Sequence, residues 1–169
     1  MAGARAATEH LLKTGRRKIV FLGGTGAPEM KLRFEGYQQA LAHAPRDATP
    51  PRTVQSHLTA DTAYEDIRAY IKSASQFDGV VCATDVIAMS AIRAITASGL
   101  SVPHDVAVVG YDDIAMASFS NPPLTTVRQD FKRGAHTMVD LLFRRINGED
   151  APSATMPAEL VIRESSARV

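Results

Sequence analysis

Apolar residues fall in two rhythms along this chain. Short unbroken runs occupy residues 18–22, 79–83 and 106–110, and such runs read as parallel strands buried on both faces. Between them, apolar residues return every three or four positions, the spacing of one helix face. Ala7, Leu11 and Leu12 mark a helix over 4–13 that stops at Gly15. Met30, Phe34, Tyr37 and Leu41 mark a second, closed by Pro45. A third is capped by Asp61 and shows Tyr64, Ile67 and Ile71 on one face. Ala88, Met89, Ile92 and Ile95 form a fourth that Gly99 ends, and Ala135, Met138, Val139, Leu142 and Ile146 a fifth over 131–147, stopped by Gly148. Weaker extended pieces are expected at 53–57, 124–127 and 159–163. Residues 111–124, with two adjacent prolines and no period, read as loop, and 150–157 as a polar linker. Strands alternating with helices imply right-handed crossovers. The expected fold is α/β, a doubly wound, mainly parallel sheet covered by helices on both faces.

With 169 residues and a 45% apolar fraction, the chain can bury the core of one α/β domain. A net charge of +1 leaves no electrostatic footprint for nucleic acid. The cluster Arg16-Arg17-Lys18 reads as a solvated helix end. A single cysteine, Cys82, excludes an internal disulfide and sits in a buried strand as a core residue. No charged segment leading into an apolar one opens the sequence, and no run of about 18 apolar residues occurs. Secretion and membrane insertion are therefore not expected, and the cytoplasm is. Gly23-Gly24-Thr25-Gly26 lacks the third glycine of a dinucleotide loop, since position 29 is Glu29, and Pro28 interrupts the turn. The five histidines show no metal spacing, and no G-x-S-x-G elbow is present. No cofactor, metal or enzymatic chemistry is expected.

Polar residues end the apolar runs. Thr84-Asp85 follows the second, and Gly110-Tyr111-Asp112-Asp113 closes the third. In open α/β sheets the carboxyl edge of the strands is where ligands bind. At least one of the two aspartates can accept hydrogen bonds there, and Asp113 is better read as a loop carboxylate capping local backbone N–H groups. Thr84 is equally a helix N-cap, with Asp85 adding favourable charge to the first turn.

These residues, taken in order, resemble a family. Thr84-Asp85 with Ala88-Met89, residues 99–106, Gly110-Tyr111-Asp112-Asp113, Pro123-Leu124-Thr125-Thr126-Val127, Arg33-Phe34-Glu35-Gly36-Tyr37 and 159–165 are similar to the effector-binding domain of the LacI/GalR transcription regulators, built like periplasmic sugar-binding proteins. The resemblance covers nearly the whole chain. It implies a sensor for a sugar or similar small polar metabolite, with DNA bound only through an N-terminal helix-turn-helix that is absent here. It assigns effector binding to Arg33 and Asp112, expected on opposite sides of the cleft, and to Thr84, which stands where many members carry asparagine. Gln129 and Phe131 become cleft positions, although Phe131 reads equally well as the first core residue of its helix. Arg33 retains the alternative of a solvated surface arginine. The resemblance also implies a homodimer through Met89, Arg93 and the loop 116–121, including Met116 and Phe119. Residues 1–127 with 158–169 would form the C-terminal subdomain, and 128–157 a helix crossing into an otherwise absent N-terminal subdomain. The rival readings are a fragment of a periplasmic-type sugar-binding protein and a nucleotide-using α/β enzyme.

Overall fold

A computed structural model describes residues 1–56, 59–73 and 76–167. The chain runs α1 (Ala2–Lys13), β1 (Ile19–Leu22), α2 (Pro28–Ala42), β2 (Thr53–Val54), α3 (Ala60–Lys72), β3 (Gly79–Cys82), α4 (Asp85–Ala97), β4 (Ala107–Asp112), a 3-10 turn (Ala115–Ser118), β5 (Thr125–Gln129), α5 (Phe131–Ile146) and β6 (Ala158–Val161). The strands form one sheet in the order β2-β1-β3-β4-β5-β6, parallel except for β6, which runs antiparallel to β5. Every residue of β1 and of β3 is buried, as the unbroken apolar runs require of strands covered on both sides.

The strand order reverses direction at β1. The chain leaves β1 through α2 to β2 on one side, whereas β3 leads through α4 to β4 on the other. Right-handed crossovers therefore put α2 and α4 on opposite faces. Helix α1 packs beside α2, and α3 beside α4. Gly36 permits the first pairing, because a Cβ there would overlap the Met1 carbonyl oxygen and lie 3.1 Å from the Arg5 nitrogen. Phe21, Phe34 and Tyr37 stack beneath α2 with centroids 5.4 to 5.9 Å apart. The reversal opens a crevice between the carboxyl ends of β1 and β3, the topological switch point at which such sheets bind ligands.

Several boundaries differ from the sequence expectation. Helix α3 is capped by Thr59, whose side chain accepts from the Thr62 nitrogen, and Asp61 lies inside the first turn. Strand β4 continues through Tyr111 and Asp112, and β5 through Arg128 and Gln129, because their backbones pair with each other and with β6. The loop after β4 contains the 3-10 turn. His57, the end of one expected extended piece, falls outside the described residues. Arg16 is not solvated: it is 7% exposed and donates to the carbonyl oxygens of Pro103, His104 and Asp105, tying the end of α1 to the turn before β4. Arg17 does serve the helix end, donating to the Leu12 carbonyl at 2.9 Å. Cys82 is buried, as expected.

Helix α5 stands apart. None of its residues is buried, and Met138, Val139, Leu142, Phe143 and Ile146 are 46 to 68% exposed. Its apolar stripe covers nothing among the described residues.

Candidate effector site at the carboxyl edge of the sheet

Three elements bring the site together. Arg33 lies on the second turn of α2, over the end of β3 and beside the end of β4. Its guanidinium stacks 3.9 Å from the Tyr111 ring centroid, donates to the Ala83 carbonyl oxygen, and donates to Asp112 Oδ1 at 3.1 Å. Gln129, the last residue of β5, donates from Nε2 to the same Oδ1 at 2.9 Å. The pair is mostly enclosed, with side chains 11% and 21% exposed. Arg33 and Asp112 thus touch each other and do not face one another across an open cleft. Arg33 is no solvated surface arginine either. Because both donors reach Oδ1, Oδ2 of Asp112 has no bonded partner among the described residues and can accept from a ligand hydroxyl. Burial pushes the Asp112 carboxyl above its usual range, against the pull of the Arg33 guanidinium and the bonds from Arg33 and Gln129.

A cleft of about 510 Å³ opens beside this grip, walled by Tyr111, Gln129, Phe131, Ala135, Met138 and Met156. Arg33 and Asp112 do not line it themselves. They reach it through Tyr111, on which the guanidinium stacks, and through Gln129. Phe131 is 61% exposed, so among the described residues it packs into no core and leaves an aromatic face at the mouth of the cleft. Thr84 is the N-cap of α4, accepting from the Ile87 nitrogen at 3.3 Å.

Three residues behave otherwise than the sequence suggested. Asp113 does not cap backbone. It accepts from Arg128 Nε at 2.6 Å and from Arg163 at 2.8 Å, because both cations converge where β5 and the chain after β6 pass the turn. Burial works to raise the Asp113 carboxyl, but these two donors outweigh it and hold the group below the usual carboxylate range. Asp85 lies in the first turn of α4, as expected, but does more than add charge there. It is wholly buried, accepting from Thr126 Oγ1 at 2.5 Å and from the Ile114 nitrogen at 2.9 Å. Tyr111, read as loop, is a strand residue that carries the Arg33 guanidinium. No periodicity marks these roles; only the unbroken polar ending of β4 hinted at them.

Burial pushes the Asp85 carboxyl from 3.8 up to about 6, with Asp112 and Asp113 adding to the rise and the Thr126 and Ile114 bonds opposing it. A carboxylate raised in this way binds its proton more tightly when folded than when unfolded. Its contribution to stability is full below the unfolded value and fades as pH rises through the folded one, by up to about 3 kcal/mol for a shift of this size. Asp113 acts with the opposite sign, so the comparison has to isolate Asp85. Denaturant unfolding of wild type and Asp85→Asn should show the wild type losing ground to the variant between about pH 4 and pH 7. A difference that stays constant across that range would contradict the assignment.

The chain matches the periplasmic binding protein-like domain over residues 8–166. It is 34% identical over 168 residues to the HTH-type transcriptional regulator CelR of Thermobifida fusca, covering 98% of this chain and 49% of that protein. Among solved structures, the Lac repressor dimer bound to operator and the anti-inducer ONPF superposes with a TM-score of 0.91 at 31% identity, over 98% of this chain and 58% of that one. A LacI family transcriptional regulator from Enterococcus faecium with bound ribose superposes with a TM-score of 0.86 at 27% identity, over 99% of this chain and 63% of that one. The chain belongs to the periplasmic binding protein-like family, and the curated relatives it matches are HTH-type transcriptional regulators. It spans about half the length of the curated relatives it matches. No helix among the described residues is long and apolar enough to cross a membrane.

Proposed function

We propose that this chain is the effector-sensing part of a LacI-type transcriptional regulator, binding a sugar or similar small polar metabolite without transforming it. The observation that carries the reading is the Arg33–Asp112–Gln129 cluster at the carboxyl edge of the sheet, where a planar donor fork and an acceptor oxygen stand side by side. That pairing suits vicinal hydroxyls, one accepting from the guanidinium and one donating to the carboxylate. Phe131 supplies an apolar face for a sugar ring, and Thr84 a hydroxyl whose hydrogen is not consumed by its capping bond. DNA contact, on this reading, belongs to a helix-turn-helix outside these residues, and the working compartment is the cytoplasm.

Residues 1–127 with 158–169 form the C-terminal subdomain in this proposal, and 128–157 the crossing helix. The bare apolar stripe of α5 supports that division, since an amphipathic helix of this kind needs a surface to cover. In the full-length regulator, a thermal-shift screen of monosaccharides and disaccharides should find at least one stabilising ligand. The shift expected is roughly 5 to 10 °C at about a hundredfold excess over Kd. A screen in which no small polar metabolite raises the melting temperature would contradict the reading.

Self-association is proposed through a second surface. Met89, Arg93, Ser120 and Asn121 line one shallow depression of about 260 Å³, and Phe119 and Met116, on the loop beside it, are 81% and 58% exposed. Large exposed apolar side chains beside a polar-rimmed depression suit an interface, and a twofold contact would use them on both copies. Sedimentation should give a dimer for the wild type and a monomer for Phe119→Asp. A Phe119→Asp protein that sediments as the wild type does would remove these residues from the interface.

A further inference from the structure

Strand β4 ends in two consecutive non-glycine residues with positive φ, Asp112 at 112° and Asp113 at 51°. Backbone in this region is disfavoured for side-chain-bearing residues and persists only where its surroundings over-determine it. One buried carboxylate supplies much of that constraint. Asp85 Oδ2 accepts from the Ile114 N–H at 2.9 Å, immediately after the turn. Asp85 Oδ1 accepts from the Thr126 hydroxyl at 2.5 Å, and Thr126 Oγ1 accepts in turn from the Asp113 N–H at 3.4 Å. Gly110, just before the turn, lies against the same carboxylate, which a Cβ there would overlap. Asp85 thus meets the turn from before, within and after. The capping of its own helix does not account for it, because Thr84 takes that role.

We infer that Asp85 is a positioning residue for effector binding: acting through Thr126 and the Ile114 N–H, it fixes the turn that aims the Asp112 carboxylate at Arg33 and Gln129. This inference rests on the reading of Arg33 and Asp112 as the effector grip and extends it to a carboxylate that never touches the ligand. Arg128 and Arg163 secure Asp113 from the other side, so the turn is held between a buried anion and two cations.

The test uses the ligand-free, full-length protein, so an effector that binds elsewhere would refute the proposed function without touching this result. Thr126→Val removes the relay while keeping shape, Thr126→Ser restores it, and Asp85→Ala removes its source. Two readouts are taken by NMR: hydrogen exchange at the Asp113 and Ile114 amides, and the guanidinium resonances of Arg33, which are resolved while the side chain is gripped and averaged when it is released. Thr126→Val and Asp85→Ala should speed exchange at both amides by tenfold or more and average the Arg33 signals. Thr126→Ser should behave as the wild type, and amides of β1 and β3 should keep their protection in all three. Should Asp85→Ala fail to fold, the Thr126 pair decides alone. The inference is overturned if Arg33 stays resolved in Thr126→Val, whether or not the two amides loosen, because the turn would then not be what aims Asp112.

Discussion

Arg33→Ala in the full-length regulator should weaken effector binding by roughly 10- to 150-fold, the equivalent of about 1.5 to 3 kcal/mol for hydrogen bonds to a charged group. Asp112→Asn should cost a similar amount. The structure adds a condition that separate positions would not impose. The two side chains share a bond at 3.1 Å, and Arg33 also rests on Tyr111 and the Ala83 carbonyl. Each single change therefore strands the other partner, and groups joined in one network do not contribute independently. Calorimetry on Arg33→Ala, Asp112→Asn and the double variant should find a double loss well short of the summed single losses. Affinities within twofold of wild type for both single variants would refute their role, and strict additivity would refute their coupling.

The largest stability effect is expected at Gly110. A Cβ at this position would overlap the buried Asp85 carboxylate, come within 2.9 Å of Leu124 Cδ2 and stand 3.3 Å from Ala88 Cβ. Neither the strand nor the first turns of α4 can yield without disturbing the anion's bonds to Thr126 and Ile114. Overpacking of this kind costs about 3 kcal/mol or more, which for a chain of this size lowers the melting temperature by roughly 6 to 12 °C. Gly134→Ala is the control. On α5 a new Cβ would meet only Met156 Cγ at 4.0 Å, and alanine is the better helix former, so that variant should be neutral or slightly stabilised. A Gly110→Ala protein melting within about 2 °C of wild type would show that the Asp85 pocket is looser than described.

Much of this molecule was legible in its sequence for a definite reason. Parallel strands buried on both faces must be apolar throughout, so the apolar runs within 18–22, 79–83 and 106–110 announce β1 and β3 to within a residue and mark the start of β4. Helices α1 to α5 followed from period and stop signals, with Gly15, Gly99 and Gly148 all adopting positive φ just beyond a helix end. The weaker predictions failed where tertiary contacts decide. Tyr111 and Asp112 read as loop because 111–124 holds two adjacent prolines and no period, yet pairing with β5 keeps them in the strand. Arg16 reads as a solvated helix-end charge and Asp85 as a favourable charge on a first turn, and neither pattern foretells burial. Their burial depends on a backbone N–H, a hydroxyl and carbonyls brought in from residues 29 to 89 positions away, which no local pattern encodes.

The site divides in the same way. Asp112 and Thr84 can be placed at the sheet edge from the ends of apolar runs, and the resemblance to LacI/GalR regulators supplies Arg33, Gln129 and Phe131. What neither conveyed is that Arg33 and Asp112 already hold each other, with Gln129 on the same oxygen. A ligand therefore has to compete with, or build on, an existing pair. Nor did either show that the grip is braced from below by Asp85 and from the side by Arg128 and Arg163 through Asp113.

Whether this chain senses a small polar effector through the Arg33–Asp112 grip is decided by a crystal structure of the full-length protein with the best ligand from the sugar screen bound. Ligand oxygens are expected within roughly 2.7 to 3.2 Å of both the Arg33 guanidinium and the Asp112 carboxylate, with the ring against Phe131. A ligand seated elsewhere, leaving that pair unengaged, would contradict that role.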